Sequence, residues 1–197
     1  MEVPFRQIRA RFDDRTVTIY QAYRPGIAVP AAKEGRFPPE FKRERMTWIK
    51  PSFCWMMHRS GWAGKPGQEH VLAISVTRTG FEWALRNSGF SHFDARQHRS
   101  REQWKSSLAA PVRIQWDPER DIRLTALPHR SIQIGLSGEV SRRYCDEWIT
   151  GIEDVTELAH EVKQLVRDGE IDRARSLLPT ELPYPVDSDL ADHLGMR

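Results

Sequence analysis

The order of its short strand-forming and helix-forming segments is the feature that most constrains the fold of this chain. Runs of β-branched and aromatic residues favour strands, and the first run, TVTIYQAY over residues 16–23, ends at Arg24-Pro25-Gly26. Further strands are predicted over residues 46–50, 70–76, 112–116 and 130–136. Helices are predicted between the first four strands, over residues 28–35, 52–61 and 80–87. This interleaved order predicts an α+β fold.

The loops between these segments narrow the possible fold classes further. No glycine-rich phosphate loop of the GxGxxG or GxxxxGK(S/T) kind follows any predicted strand, which disfavours a doubly wound nucleotide-binding fold. The polar stretch from His92 to Lys105 predicts a loop with one helical turn near Trp104. Asp117-Pro118 predicts a turn that ends the strand before it.

Beyond Ser137 the spacing of apolar residues becomes helical. The positions that define this pattern are Val140, Tyr144, Trp148, Ile149 and Ile152, followed by Val155, Leu158, Val162, Leu165 and Val166. A capping pair, Asp154 and Glu157, is expected at the break, and Gly169 ends the second segment. We therefore expect a core over residues 1–136 and a helical extension over residues 137–197 packed on it, with LPTELPYP as a strap or a loose end.

Charge is distributed unevenly along the chain. Residues 1–136 contain 23 Lys and Arg against 13 Asp and Glu, whereas residues 137–197 contain 7 against 14. Arginine supplies most of the positive charge, and its planar guanidinium suits phosphate and carboxylate groups. The pattern favours an anionic ligand such as a nucleotide, a nucleic acid or a phosphorylated metabolite. The alternative is a solvated basic surface against which the acidic extension folds back.

Length and composition exclude several classes of protein. A chain of 197 residues with 39% hydrophobic residues predicts one compact domain with an ample core. No window approaches the ~20 apolar residues of a membrane span, and the first residues lack the apolar region of a signal peptide. We therefore expect a soluble cytoplasmic protein. Cys54 and Cys145 are too few for a disulfide framework or a thiolate zinc site and are expected to be buried.

Three clusters of polar side chains lie on or beside predicted strands. In the first, strand alternation places Gln21 and Tyr23 on one face and Tyr20 on the other. The second comprises Trp48, Lys50 and Ser52, with His58 and Arg59 on the helix that follows. The third comprises His129 and Arg130, preceded by Asp117 and Glu119. Because sites form where several elements converge, we expect these clusters to meet.

Each cluster also has a purely structural interpretation. Tyr and Gln are common on strand surfaces, Trp48 and Trp55 are large enough to fill a core, and Lys50 could point to solvent. The helix N-terminus after Ser52 would attract an anion together with Lys50. His92, His98 and His129 lack a metal-binding spacing, so no metal is expected. No serine or cysteine has a GxSxG-like context, so a hydrolase triad is not expected.

Several long blocks of the chain resemble one family. These blocks are RQIRA, IYQAYRPGIA, RMTWIKPSFCWMMHRSGWA, QEHVLAI, QWDPER and RSIQIGL. They are similar to the family catalogued as domain of unknown function 4291, and the resemblance covers nearly the whole chain. The family carries no established activity.

A looser resemblance is to the ADP-ribosyltransferase fold. The matching blocks are Tyr20-Gln21, residues 31–37, Ile49-Lys50-Pro51-Ser52, residues 71–76, Trp116-Asp117-Pro118 and Pro128-His129. The resemblance implies two small mixed or antiparallel sheets that form a split-sheet core with NAD in the cleft between them. Gln21 stands where that fold usually has His or Arg, Lys50 stands where it has His, and no glutamate marks the last strand.

The resemblance implies a role for each candidate residue. Gln21 and Tyr23 would bind the nicotinamide riboside, with Tyr20 and Trp48 also at the cofactor. Lys50, Ser52 and Arg59 would face the pyrophosphate, His129 and Arg130 would flank the reactive ribose or the acceptor, and Glu119 would supply the catalytic carboxylate. The implied activity is transfer of ADP-ribose from NAD to a nucleic-acid or other anionic acceptor.

Two alternatives remain open on the sequence. The first is a non-catalytic module that binds RNA or another phosphorylated ligand. Its phosphate contacts would come from Arg6, Arg9, Arg45, Lys50, Arg59 and Arg130, and Trp48 or Tyr23 would stack a base. The second is a protein-interaction domain that uses the acidic extension.

Overall fold

The computed structural model describes residues 3–196 and confirms the α+β class. The strands are β1 Arg9–Ala10, β2 Thr16–Tyr23, β3 Thr47–Ile49, β4 His70–Thr77, β5 Ser88–Phe90, β6 Val112–Arg120, β7 Ala126–Leu136, β8 Ile149–Asp154 and β9 Leu182–Pro183. The α-helices are α1 Pro25–Glu34, α2 Phe53–Ser60, α3 Arg78–Arg86, α4 Arg101–Ser107, α5 Gly138–Arg143, α6 Thr156–Arg167, α7 Ile171–Leu177 and α8 Ser188–His193. A π-helical turn, Tyr144–Trp148, joins α5 to β8.

Two small sheets and one short ribbon organise these strands. The first sheet has the order β2-β4-β8 and is antiparallel throughout. The second has the order β3-β7-β6-β5 and is mixed, because β5 runs parallel to β6. β1 and β9 pair as a two-residue ribbon, so the proline-rich segment near the C-terminus is a strap rather than a loose end.

The two sheets are joined by one backbone bridge. The amide N–H of Tyr20, in the middle of β2, donates to the carbonyl oxygen of Lys50, directly after β3, over 2.7 Å. β2 is therefore paired through its backbone with β4 along one side, and among the described residues this is its one backbone bridge to the second sheet on the other side. The bridge places the ends of β2 and β3 side by side.

Apolar side chains cover both faces of the first sheet. Val17, Ile19 and Ile74 face the larger core, which also contains the inward face of the second sheet. Tyr20 and Val71 face a second cluster, built with α2 and α6. Burial on both faces explains the nearly continuous apolar run of β4. Cys145 is buried as expected, whereas Cys54 is half-buried.

Two local predictions are wrong. Residues 149–152 were expected to be helical, but they belong to β8, where Ile152 pairs with Ile74 of β4. Ile, Thr and Gly are poor helix formers, so the free edge of β4 decides their conformation. Asp117-Pro118 was expected to turn the chain, but both residues lie inside β6, and the ladder with β7 becomes irregular just after Pro118. A proline is tolerated at such an irregularity because its missing N–H leaves no bond unmade.

The turn between β6 and β7 lies four residues further along the chain. The Asp121 carboxylate accepts hydrogen bonds from the amides of Arg123 and Thr125, each over 2.8 Å. This is the side-chain bonding that makes aspartate a frequent turn residue. Within residues 3–196, no helix has the length and apolar character that crossing a membrane requires.

Candidate functional site

A cavity of about 430 Å³ opens beside the bridge between the two sheets. Its walls are the end of β2, the start of α1, the loop over residues 40–46, β3, Lys50, one side of α2 and residues 67–68. We call it the first cavity. Six of the residues predicted from the sequence line it, namely Gln21, Tyr23, Arg45, Trp48, Lys50 and Arg59. Side chains from two of the three expected clusters therefore meet at one place.

The lining of the first cavity is strongly basic. Its cations are Arg24, Lys42, Arg45, Lys50 and Arg59, and its only carboxylate among the described residues is Glu40. Apart from Lys50 these cations are exposed, and none of them forms an ion pair within residues 3–196. Uncompensated like charges around a concave surface raise the local concentration of anions. The cavity is therefore suited to a phosphate-bearing ligand.

Lys50 is the most perturbed cation of the first cavity. Its side chain is 7% exposed, its Nζ donates to the carbonyl oxygen of Trp48 over 2.9 Å, and it lies 5.3 Å from the centroid of the Trp55 ring. Burial, with a smaller contribution from the nearby Arg59, lowers the pKa of Lys50 to about 7, and Asp117 opposes the shift. An anion in the cavity would favour the charged amine, so ligand binding and proton uptake at Lys50 are linked.

A buried chain of hydrogen bonds holds the wall of the cavity together. The Tyr144 hydroxyl donates to Gln21 Oε1 over 2.7 Å, and Gln21 Nε2 donates to Thr47 Oγ1 over 2.6 Å and to the carbonyl oxygen of Trp48 over 3.1 Å. Thr47 Oγ1 also lies 3.1 Å from the Tyr23 hydroxyl. Gln21 is 2% exposed and both ends of its amide are bound to the protein. It therefore ties β2 to β3 and positions the wall.

Sequence reasoning missed Thr47 and Tyr144 as members of this chain. Tyr144 belongs to the apolar series after Ser137, and nothing in that series distinguishes its hydroxyl from an ordinary core tyrosine. Thr47 lies one residue before the Trp48 cluster, inside a predicted strand. The only sequence signal is indirect, because a glutamine predicted on a buried strand face needs polar partners.

Aromatic rings form the remaining walls of the first cavity. Tyr23 packs edge-on against Phe37 and Phe41, with ring centroids 5.4 and 5.7 Å away. Trp48 lies over Gly135 of β7, where a Cβ atom would come within 3.1 Å of the indole. Since Gly135 leaves room for the ring, the indole lies directly on the backbone of the second sheet. The cavity thus combines cations with apolar flat surfaces.

Three expected site residues lie away from the first cavity. Tyr20 is fully buried on the opposite face of β2 and packs edge-on against Phe53, with centroids 5.4 Å apart. Ser52 is buried at the start of α2, where its Oγ accepts from the Trp55 amide over 3.1 Å and donates to Glu119 Oε1 over 2.8 Å. Glu119 is buried with it. These side chains are bound to each other or to the core.

The third cluster is separate from the first cavity. Arg130 lines a second cavity, which is formed by residues 5–6, 90–96 and 114–116 together with Arg130 itself. His129 lines neither of the two cavities. His129 and Arg130 therefore do not join Gln21 and Lys50, whereas Asp117 of the same cluster is close enough to Lys50 to act on its pKa. Within residues 3–196, no three His, Cys, Asp or Glu side chains form a group that could hold a metal ion.

Fold and site together define an α+β protein with a basic, aromatic-walled cavity at the junction of its two sheets. The chain belongs to the family described as "Domain of unknown function (DUF4291)", whose model matches residues 7–184. The matched range includes every residue of the first cavity. The curated proteins give no significant match.

Proposed function

We propose that this chain is an NAD-binding protein of ADP-ribosyltransferase-like type, and that the first cavity holds the dinucleotide. One observation carries the proposal: exposed cations without carboxylate partners surround the buried Lys50 where the two sheets meet. The block order of the sequence supports it, because the fold that it resembles binds NAD between two small sheets. A volume of about 430 Å³ falls within the range of ordinary small-molecule sites.

The lining suggests how NAD would be held. Arg45, Lys50 and Arg59 would contact the pyrophosphate, since guanidinium and ammonium groups pair with phosphate oxygens. Tyr23 and Trp48 would give the nicotinamide or the adenine a flat apolar surface. Gln21, whose amide is already bound, would act by positioning β2 and β3 rather than by touching the reacting atoms.

Transfer of ADP-ribose would break the bond between the nicotinamide nitrogen and C1′ of the ribose, and the electron pair would leave with nicotinamide. An oxygen or nitrogen of the acceptor would then bond to C1′ and release its proton. Because the sugar passes through an oxocarbenium-like state, a nearby carboxylate would stabilise the transition state. Glu40 lines the cavity and is the better candidate for this role than Glu119, which is buried against Ser52.

Calorimetric titration with NAD, combined with chromatographic detection of released nicotinamide, tests the proposal. We expect wild-type protein to bind NAD. Arg59→Ala should bind NAD at least about tenfold more weakly because it loses one phosphate contact, and a tenfold change in affinity corresponds to about 1.4 kcal/mol. Lys105→Ala is the matched control, because Lys105 is exposed and lines neither cavity. Absence of NAD binding by the wild-type protein would refute the proposal.

A second candidate is a non-catalytic module that binds RNA phosphates through the same cavity. The exposure of Arg24, Lys42 and Arg45 along its rim favours this alternative, because an extended strand needs a line of accessible cations. It predicts RNA affinity that falls steeply with salt, with no effect of NAD. Competition between NAD and RNA for the wild-type protein distinguishes the two functions.

A further inference from the structure

A second cavity, of about 540 Å³, lies at the end of β5 and beside the middle of β6, where the N-terminal segment runs alongside the second sheet. Phe5 and Arg6 lie alongside β7, because the Arg130 amide donates to the carbonyl oxygen of Phe5 over 2.7 Å and Arg6 bridges to Arg130. The loop over residues 91–96 closes the opposite side. None of the residues that line the first cavity lines this one.

Three guanidinium groups converge in the second cavity. The guanidinium carbons of Arg6, Arg96 and Arg130 lie 5.9, 4.5 and 5.4 Å from the centroid of the Phe5 ring. They are far apart in sequence, so the fold brings like charges together around one aromatic ring. Such an arrangement is electrostatically unfavourable unless a counter-charge is supplied.

The protein supplies only part of that counter-charge. Asp94 is the one carboxylate among the described residues that line the second cavity, and it is paired with Arg6. Within residues 3–196, the guanidinium groups of Arg96 and Arg130 have no carboxylate oxygen within 4.0 Å, although the Arg96 backbone amide donates to Asp94 Oδ1 over 2.9 Å. Arg6 is nine-tenths buried, and its Nε has no hydrogen-bond partner. The cavity therefore keeps a net positive charge.

The remaining lining indicates what kind of anion fits. Phe5 is 43% exposed in spite of the arginines around it, and Phe93 and Trp116 also line the cavity. Ser91 adds a hydroxyl, which lies 2.9 Å from His92 Nδ1. Paired guanidiniums match the oxygen geometry of phosphate, and the exposed ring of Phe5 beside them suits a base. The combination fits a nucleoside phosphate better than a bare inorganic anion.

We propose that the second cavity binds the terminal phosphate of a nucleotide, free or at the 5′ end of a nucleic-acid strand, through Arg96 and Arg130. This site is independent of NAD binding in the first cavity, because the two share no residue. The proposal holds whether or not NAD binds.

Three probes test the proposal by fluorescence or calorimetric titration of the full chain. They are AMP, a single-stranded ten-nucleotide RNA with a 5′ phosphate, and the same RNA without it. We expect AMP or the phosphorylated RNA to bind, with affinity that falls as salt rises. Binding of AMP, with or without binding of the phosphorylated RNA, indicates that the phosphate of a free nucleotide suffices, and binding of the phosphorylated RNA alone indicates a strand end. Binding of both RNAs with equal affinity, or no binding by any probe, would overturn the proposal.

Matched variants locate the ligand. Arg96→Ala and Arg130→Ala are expected to weaken binding at least about tenfold. Arg99→Ala is the control, since Arg99 is exposed in the same part of the chain and lines neither cavity. Arg96 is itself exposed, so its substitution leaves the core intact and circular dichroism can verify the fold. If Arg59→Ala abolishes binding while Arg96→Ala does not, the ligand lies in the first cavity and the proposal is wrong.

Discussion

Lys50 makes the stability of this protein depend on pH in a predictable direction. In the unfolded chain its amine has an ordinary pKa of 10.5, whereas burial beside Trp48 and Trp55 lowers the pKa in the folded protein to about 7. Between these two values the unfolded chain binds more protons than the folded one. The free energy of unfolding therefore rises with pH across this window and is lowest where the buried amine is charged.

The size of the effect follows from the two pKa values. Each pH unit inside the window changes the free energy of unfolding by about 1.4 kcal/mol for one proton. Because the folded amine is still partly charged near its own pKa, about 0.3 of the first unit is lost, and the change from pH 7 to pH 9 is about 2 kcal/mol. Lys50→Met removes the amine and keeps most of the apolar stem over Trp55, so this contribution disappears in the variant.

Urea denaturation at pH 7, 8 and 9 measures the effect. We expect the free energy of unfolding of wild type to rise by about 2 kcal/mol relative to Lys50→Met over this range. Lys105→Met, a substitution of an exposed lysine, should follow the wild-type profile. Parallel profiles for wild type and Lys50→Met would refute the reasoning, since they would mean that the amine has the same pKa in both states.

Three further substitutions probe the fold and its ionisable groups. Gly80→Ala should lower the free energy of unfolding by about 1–3 kcal/mol, because the added Cβ would lie 2.6 and 2.7 Å from Cδ2 and Cδ1 of Trp148. A variant that is more stable than wild type in urea would contradict this close packing. Tyr144→Phe should cost about 1–3 kcal/mol, because it leaves Gln21 Oε1 without a donor; an unchanged urea midpoint would count against the buried chain. Burial raises the pKa of Glu181 to about 8, so the free energy of unfolding of wild type should fall relative to that of Glu181→Gln as pH rises from 5 to 8. A constant difference between the two free energies of unfolding would show that the pKa of this carboxyl is not raised.

Elements with strong local signals were predictable from the sequence. Ser52 was expected to cap α2, and its Oγ does accept from the Trp55 amide; Gly61 was expected to end that helix, and it does so with a φ of 63°. The alternation of β2 placed Tyr20 and Gln21 on opposite faces, as observed. These features depend on residues within a few positions of each other, so a single stretch of sequence contains the whole cause.

β8 and the composition of the site were not predictable in this way. Ile149 and Ile152 fit a helical spacing, but the unpaired edge of β4, more than 70 residues earlier, draws them into a strand. The six candidate residues that meet in the first cavity have the same chemical character as those that lie elsewhere. The register of β2 and β3 at the Tyr20–Lys50 bridge places Gln21, Tyr23 and Trp48 in the cavity, and the position of α2 beside it adds Arg59.

The sequence by itself determined the α+β class, most strand and helix positions, membership of the family and the excess of arginine in the first 136 residues. The tertiary structure decided which cations share a cavity, and it placed Arg130 in a different cavity from Lys50. It also decided that both ends of the Gln21 amide are hydrogen-bonded within the protein. The physical reason is the distance along the chain over which each effect acts. Propensity, capping and turn chemistry act over a few residues, whereas burial, pKa and the meeting of like charges depend on chain segments that only folding brings together.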